Sequence, residues 1–415
     1  MSRYPRERFG AALLIAAVLL AACGSSSTSP TRSPAPSPTS AAGAASPAAS
    51  ASLDPSSAVA AAAASATPGT AICSPLAGGV GYRMSSCQVD APSLAGNMLG
   101  DPATLSAYVL TPVDYETSGL HYPVVYMLAG YTDPATGIAY ALQAAPQPDS
   151  GTTASPIVVV VSGVNAFGGG FYVNSPVSGN WEDAIVKDLV GYVDANYRTI
   201  AKPASRGIAG ASMGGFGATT IAMRHADVFG ALFAEVPGLF DPDGAQARLG
   251  DPAVIQQVLA IQKQVAGLSP AEAATQLPAL IKGSEDLEFE FAYGAAFAPD
   301  PKSPSLMQFP FRTENGQTVR DDALWARWEA GFGGLPAKIQ QYKGNLQKLA
   351  GIAVDYGTLD EYAWIPKGSH YFAGLLQSAG VDVLETTFAG GHEDHQNERL
   401  VNRMLPFMAE KLSAD

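Results

Sequence analysis

The chain has 415 residues, a net charge of −13, 47% hydrophobic residues and only 15% charged ones. An acidic balance of this size excludes a nucleic-acid partner, which needs a basic face. The three cysteines have no histidine near them and cannot complete a zinc sphere.

In chain order, Arg3, Arg6 and Arg8 precede an apolar run from Phe9 to Ala22 that ends in Leu-Ala-Ala-Cys, Leu20 to Cys23. A spanning helix needs about 20 apolar residues, so residues 1–22 are read as a secretory signal peptide. The Leu-x-x-Cys ending resembles a bacterial lipobox. It carries the expectation that Cys23 is lipidated and holds the protein on the extracytoplasmic face of a membrane; the alternative is an ordinary signal peptide. Residues 23–70 are Ser, Pro, Ala and Thr with almost no charge, too poor in apolar surface to fold, and are read as a disordered tether. In an exported chain, Cys73 and Cys87 are expected to form a disulfide.

From residue 71 to 415 the spacing predicts one α/β domain. Short, continuously apolar runs at 106–111, 123–129, 156–162, 206–210, 231–236, 351–356 and 381–388 read as strands buried on both faces. Between them, Trp181, Ile185, Leu189, Val193 and Tyr197 recur every four residues as one face of a helix. Helices are also expected over 213–225, 367–379 and 396–412. Strands alternating with helices imply a mostly parallel sheet covered on both faces. Residues 238–349 break this rhythm. They hold helical pieces at 253–266 and 271–281, no convincing strand, and aromatics including Phe289, Tyr293 and Trp328. This stretch reads as a cap-like insertion folded over the sheet's edge, its aromatics mostly core.

The chemistry centres on Arg-Gly-Ile-Ala-Gly-Ala-Ser-Met-Gly-Gly, residues 206–215. Gly210-Ala-Ser-Met-Gly214 fits Gly-x-Ser-x-Gly between a strand and a helix, the setting in which a tight turn lifts a nucleophilic serine out of a sheet. Ser212 needs a base. His392 follows Phe-Ala-Gly-Gly in the loop after the last strand, at the sheet end where ligands bind in open α/β folds; His395 is its rival. The acid is expected between serine and histidine in the chain. Asp360, on the loop past Gly357, is preferred, with Asp355 and Glu361 as runners-up. The backbone N–H groups of Met213 and of Tyr131, after the strand ending at Gly130, are the expected oxyanion donors. No metal or cofactor is implied.

Together, Tyr-Pro-Val-Val-Tyr-Met-Leu-Ala-Gly-Tyr-Thr (122–132), the helix 181–199, the serine motif, Asp-Tyr-Gly-Thr-Leu-Asp-Glu-Tyr (355–362) and Phe-Ala-Gly-Gly-His-Glu-Asp-His (388–395) resemble one family. It is the esterase family of α/β-hydrolases that holds esterase D (S-formylglutathione hydrolase), the antigen 85 mycolyltransferases, and feruloyl and enterobactin esterases. The resemblance runs from about 93 to 412. It implies an α/β-hydrolase fold, a Ser212–Asp360–His392 triad and Tyr131 and Met213 as oxyanion donors. The loop 165–175 also looks like one found in an exported branch, and either borders the site or is a flexible turn. The expected function is a lipid-anchored serine esterase acting on a small-molecule or cell-envelope ester. Acyl transfer by the same triad, or a non-catalytic binding lipoprotein, stand as alternatives.

Overall fold

The computed structural model describes residues 69–146 and 155–415. The signal peptide, Cys23 and the tether through residue 68 lie outside the described residues.

Among the described residues, nine strands make one sheet: β1 (Ala71–Leu76), β2 (Tyr82–Asp90), β3 (Thr104–Pro112), β4 (Val124–Leu128), β5 (Ile157–Val161), β6 (Arg206–Ala211), β7 (Ala231–Glu235), β8 (Gly351–Gly357) and β9 (Leu384–Phe388). The spatial order is β1-β2-β3-β5-β4-β6-β7-β8-β9. The first three strands are an antiparallel meander, and the six from β5 to β9 run parallel. Strands β4, β5, β6 and β7 are buried at every position, as their continuous apolar runs predict.

Alternation along each strand divides the core into two layers. Val124, Tyr126 and Leu128 face one side, with Trp181, Ile185 and Leu189 and with Phe216 and Ile221 of the helix Met213–Arg224. Val125 and Met127 face the other, with Ile138 and Leu142 of the helix Thr136–Ala144 and Met404, Leu405 and Met408 of the C-terminal helix. Helices therefore cover both faces, the architecture of an α/β-hydrolase.

The structure departs from the sequence reading in three places. The first two strands escape it because β1 is exposed along most of its length and interrupted by Pro75, and β2 alternates buried and exposed residues. Cys73 and Cys87 face each other across these two strands and are disulfide-bonded, so the bridge staples a ladder. The insertion does contain strand, a hairpin of Phe311–Glu314 and Gln317–Arg320. Three of its helices, Glu285–Phe297, Asp322–Phe332 and Leu335–Leu346, are likewise not marked by sequence spacing. The first of them is buried around most of its circumference, which erases a one-sided stripe.

The loop 165–175 is no flexible turn. Phe167, Phe171 and Tyr172 are fully buried. The Tyr172 hydroxyl donates to the Ala129 carbonyl at 3.0 Å, and the Tyr131 hydroxyl donates to the Phe167 carbonyl at 2.5 Å. The loop thus backs the segment that follows β4.

Candidate active site

Ser212 stands between β6 and the helix Met213–Arg224 with φ 55° and ψ −114°, a backbone conformation that L residues seldom adopt. The turn exists because its flanks lack side chains. A Cβ on Gly210 would lie 2.1 Å from the Gly214 carbonyl oxygen, and one on Gly214 would lie 2.0 Å from that of Leu128. The serine's own N–H is fixed by the Glu235 carbonyl at 3.0 Å, and its carbonyl accepts from Phe216 and Gly238. The strained turn at Ser212 is held by strand ends on both sides.

The structure brings Ser212, His392 and Asp360 into one hydrogen-bonded line. His392 Nε2 is 2.9 Å from Ser212 Oγ, and His392 Nδ1 is 2.8 Å from an Asp360 oxygen. A carboxylate only accepts, so Nδ1 carries the hydrogen and Nε2 presents its lone pair to the serine hydroxyl. The second Asp360 oxygen takes the Tyr362 N–H at 2.8 Å, closing an Asx turn. The Asp360 side chain is 0% exposed and that of His392 10%, so these bonds form in a largely water-free place where they are strong.

The loops carrying Asp360 and His392 are zipped together by backbone. Thr358 N–H donates to the Phe388 carbonyl and Leu359 N–H to that of Gly390, at 2.9 and 3.0 Å. Glu361 accepts the His392 backbone N–H at 3.0 Å, and that bond is the main reason its carboxyl sits below the usual range. The Tyr362 ring meets the imidazole edge-on at 5.1 Å, and its hydroxyl donates to Glu285 of the insertion at 2.8 Å.

The runners-up have other partners. Asp355 accepts from the Thr386 hydroxyl at 2.6 Å and pairs with Arg399. Glu361 brackets the His392 backbone, not its ring. His395 is exposed and pairs with Glu398. His225 pairs with the buried Glu182 at 2.8 Å. His370 pairs with Glu385, and His121 lies on the surface.

The two expected oxyanion donors adjoin the serine. Met213 N–H opens its helix and has no intrahelical acceptor. Tyr131 N–H donates to no backbone carbonyl among the described residues. The Gly130-Tyr131 turn lies against Ser212, since a Cβ on Gly130 would be 3.7 Å from Ser212 Cβ. The loop 165–175 packs behind both donors: a Cβ on Gly169 would strike Met213 Sδ at 2.4 Å and the Tyr131 ring at 2.8 Å.

A cleft of about 620 Å³ opens over this line. Ser212, Met213 and His392 form its floor, and Phe289, Phe332 and Trp364 stand in its wall. The insertion therefore supplies a wall of the cleft as well as its own core. Arg248, the sole Lys or Arg lining the cleft among the described residues, lies 3.8 Å over the Phe289 ring and faces Asp286 at 3.4 Å. Among the described residues, no group of three His, Cys, Asp or Glu side chains is placed to hold a metal.

Sequence reading missed Glu361 as a bracket for the base loop, Tyr362 as the link to the insertion, and Arg399 beneath the site. No spacing rule marks the first two, because their partners lie 31 and 77 residues away.

Comparison with known proteins agrees with this architecture. Residues 99–330, more than half of the chain, match the family model described as "Putative esterase". That segment includes Tyr131, Ser212 and Met213 and ends before Asp360 and His392. An esterase of Mycobacterium tuberculosis, Esterase Rv1288, is 39% identical over 124 residues, 28% of this chain and 25% of its own length. The chain thus spans about a quarter of the curated relative it matches. A solved ferulic acid esterase superposes with a TM-score of 0.50 at 18% identity, covering 81% of this chain and 100% of that one. An S-formylglutathione hydrolase from Agrobacterium tumefaciens gives a TM-score of 0.44 at 16% identity, covering 82% and 99%. The chain has the α/β-hydrolase fold and belongs to the esterase family.

Proposed function

We propose that the protein is a serine hydrolase of carboxylic esters in which Ser212, His392 and Asp360 form the catalytic triad. The single observation that carries this reading is the Ser212 Oγ–His392 Nε2–His392 Nδ1–Asp360 line at 2.9 and 2.8 Å, at the floor of a cleft. His392 takes the hydroxyl proton as Ser212 Oγ attacks the ester carbonyl. Asp360 holds the imidazole in the required tautomer and stabilises its cation without itself taking the proton. The N–H groups of Tyr131 and Met213 receive the charge that develops on the carbonyl oxygen, an effect worth about 100- to 1000-fold per donor. The imidazolium then protonates the leaving alcohol. Water, activated by the same histidine, releases the acyl group.

Location belongs to the same proposal. The basic residues, the apolar run and Cys23 support a lipid-anchored protein on the extracytoplasmic face of a membrane, with residues 24–70 as a tether and a small-molecule or cell-envelope ester as substrate. The disulfide between Cys73 and Cys87 fits an oxidising compartment. Growth of cells with an alkyne fatty acid should label the wild type and not Cys23→Ser; an unlabelled wild type overturns the anchor.

The activity is tested with p-nitrophenyl esters of two to eight carbons, with and without a sugar acceptor. Wild type should release nitrophenol and free acid, and Ser212→Ala should release neither. Acyl-sugar in place of free acid would make the enzyme a transferase. No turnover of any ester would overturn the reading.

A further inference from the structure

Beneath the cleft lies a buried ionic cluster that the mechanism does not use. Arg399 is 5% exposed, and its guanidinium lies between Glu235, 3.3 Å away and 2% exposed, and Asp355, 0% exposed. Its Cζ sits 3.6 Å over the Phe388 ring. The Thr386 hydroxyl completes the cluster by donating to Asp355 at 2.6 Å. None of Arg399, Glu235 and Asp355 lines the cleft. Enclosing a guanidinium with two buried carboxyl groups costs desolvation that a well-packed apolar trio would avoid, so the arrangement calls for a reason other than stability.

The reason is in what each partner carries. Glu235 ends β7, and its carbonyl fixes the Ser212 N–H at 3.0 Å. Asp355 lies on β8, which runs into the Asp360 loop, and its carbonyl holds the Val236 N–H at 2.7 Å. Phe388 ends β9 and opens the loop to His392, while its carbonyl holds Thr358 at the start of the acid loop. Arg399 itself sits seven residues past His392, on the helix that leaves the base loop, with its N–H on the His395 carbonyl. One planar guanidinium therefore spans the three strand ends from which nucleophile, acid and base are hung. A lysine has a single ammonium, which cannot reach two carboxyl groups in a fork while stacking on a ring.

We infer that Arg399 is a positioning residue for the triad: its guanidinium locks the His392 loop in register with the β7 and β8 ends, so that Nε2 stays within proton-transfer reach of Ser212. This inference rests on the esterase reading above.

The matched control is Arg206, at the opposite end of the strand that carries Ser212. It is also a nearly buried guanidinium, 9% exposed and paired with Asp194 at 2.5 Å. Arg399→Lys and Arg206→Lys are compared on one nitrophenyl ester, with thermal midpoints measured alongside. Arg399→Lys should lower kcat at least tenfold with KM within twofold of wild type, while Arg206→Lys keeps kcat within twofold at a similar loss of thermal stability. Equal kcat effects in the two variants, or a loss confined to KM, overturn the inference. Should Arg399→Lys fail to fold, Glu235→Gln reads the same strut from its other end: a threefold or larger fall in kcat at unchanged KM supports it, and an unchanged kcat overturns it. A wild type that hydrolyses no ester sinks the esterase reading and this inference with it. A wild type that does so through Ser212, with an unimpaired Arg399→Lys, sinks the inference alone.

Discussion

The parallel end of the sheet and the insertion over 238–349 are built in opposite ways. At the sheet end, hydrogen bonds made to or by the backbone decide position: Ser212 is fixed by the Glu235 carbonyl, the Asp360 loop by the carbonyls of Phe388 and Gly390, and the His392 N–H by the Glu361 carboxylate. In the insertion, side-chain packing decides. Phe332 alone contacts the rings of Phe216, Phe240, Tyr293 and Trp364, with centroids 4.6, 5.3, 5.1 and 6.0 Å away. Geometry needed to a few tenths of an ångström is hung on strand ends. The wall that shapes the cleft is an aromatic cluster, whose tolerance for substitution is wider.

That contrast predicts different failures. Ser212→Ala should give the largest effect, a fall in kcat of about 10³-fold or more with KM and thermal midpoint little changed, measured by steady-state ester hydrolysis. Asp360→Asn should follow, with a loss of about 10²- to 10⁴-fold, because the amide no longer dictates the tautomer of His392. Asp355→Asn breaks the comparison within one stretch of chain, on the strand that leads into the Asp360 loop. It strips Arg399 of a buried counter-charge, so its chief effect should be a loss of stability, of the order of 3–5 kcal/mol for a broken buried pair, read as a lower thermal midpoint. If Asp355→Asn abolished activity in a fully stable protein and Asp360→Asn did not, the acid would be misassigned.

In the insertion, Phe332→Ala should cost about 3–5 kcal/mol through the cavity it leaves. The same change should raise KM more than it lowers kcat, because Phe332 touches the cleft and not the triad. A kcat loss as large as that of Asp360→Asn would erase the distinction between wall and chemistry.

The smallest effect is on pH dependence. Burial pushes the carboxyls of Glu235, at the sheet end, and Glu290, in the insertion, up to about 8. Between the ordinary glutamate value of 4.5 and about 8, the folded protein keeps protons that the unfolded chain has released, so stability falls as pH rises through that window. Glu182 and Glu361 are shifted the other way, Glu182 by His225 and Arg224 against its burial and Glu361 chiefly by the His392 N–H, and they lose their contribution as pH falls below the ordinary value. Thermal midpoints should therefore peak near pH 5 and decline toward pH 8, and Glu290→Gln should flatten the decline. A midpoint that climbs from pH 5 to 8 would contradict the assignment.

The same contrast explains what could be read from the chain alone. Buried parallel strands announce themselves as apolar runs, and Gly210-x-Ser212-x-Gly214 announces a turn because backbone approaches within the reach of a Cβ. His392 and Asp360 are legible because they sit on loops at strand ends, where a chemistry-bearing residue has few structural reasons to be. The choice of Asp360 over Asp355 was legible from the pleat: Asp355 lies within a strand that aims it beneath the sheet end, toward Arg399. Two helices of the insertion, Pro252–Val265 and Pro270–Ile281, were legible; the rest was not, because its helix Glu285–Phe297 is buried on most sides and its hairpin is exposed and polar, so neither carries a one-sided period. The Arg399 cluster was hidden because burial of a charge is a tertiary fact with no local signature.

The central claim is that one hydroxyl, at position 212, is made nucleophilic by the imidazole at 392. It is tested most directly by reaction with a fluorophosphonate, read by intact mass and by mapping the labelled peptide. The account predicts one adduct per chain, on Ser212, none in Ser212→Ala, and labelling slowed at least a hundredfold in His392→Ala. An adduct retained in Ser212→Ala, or an unchanged rate in His392→Ala, would contradict it.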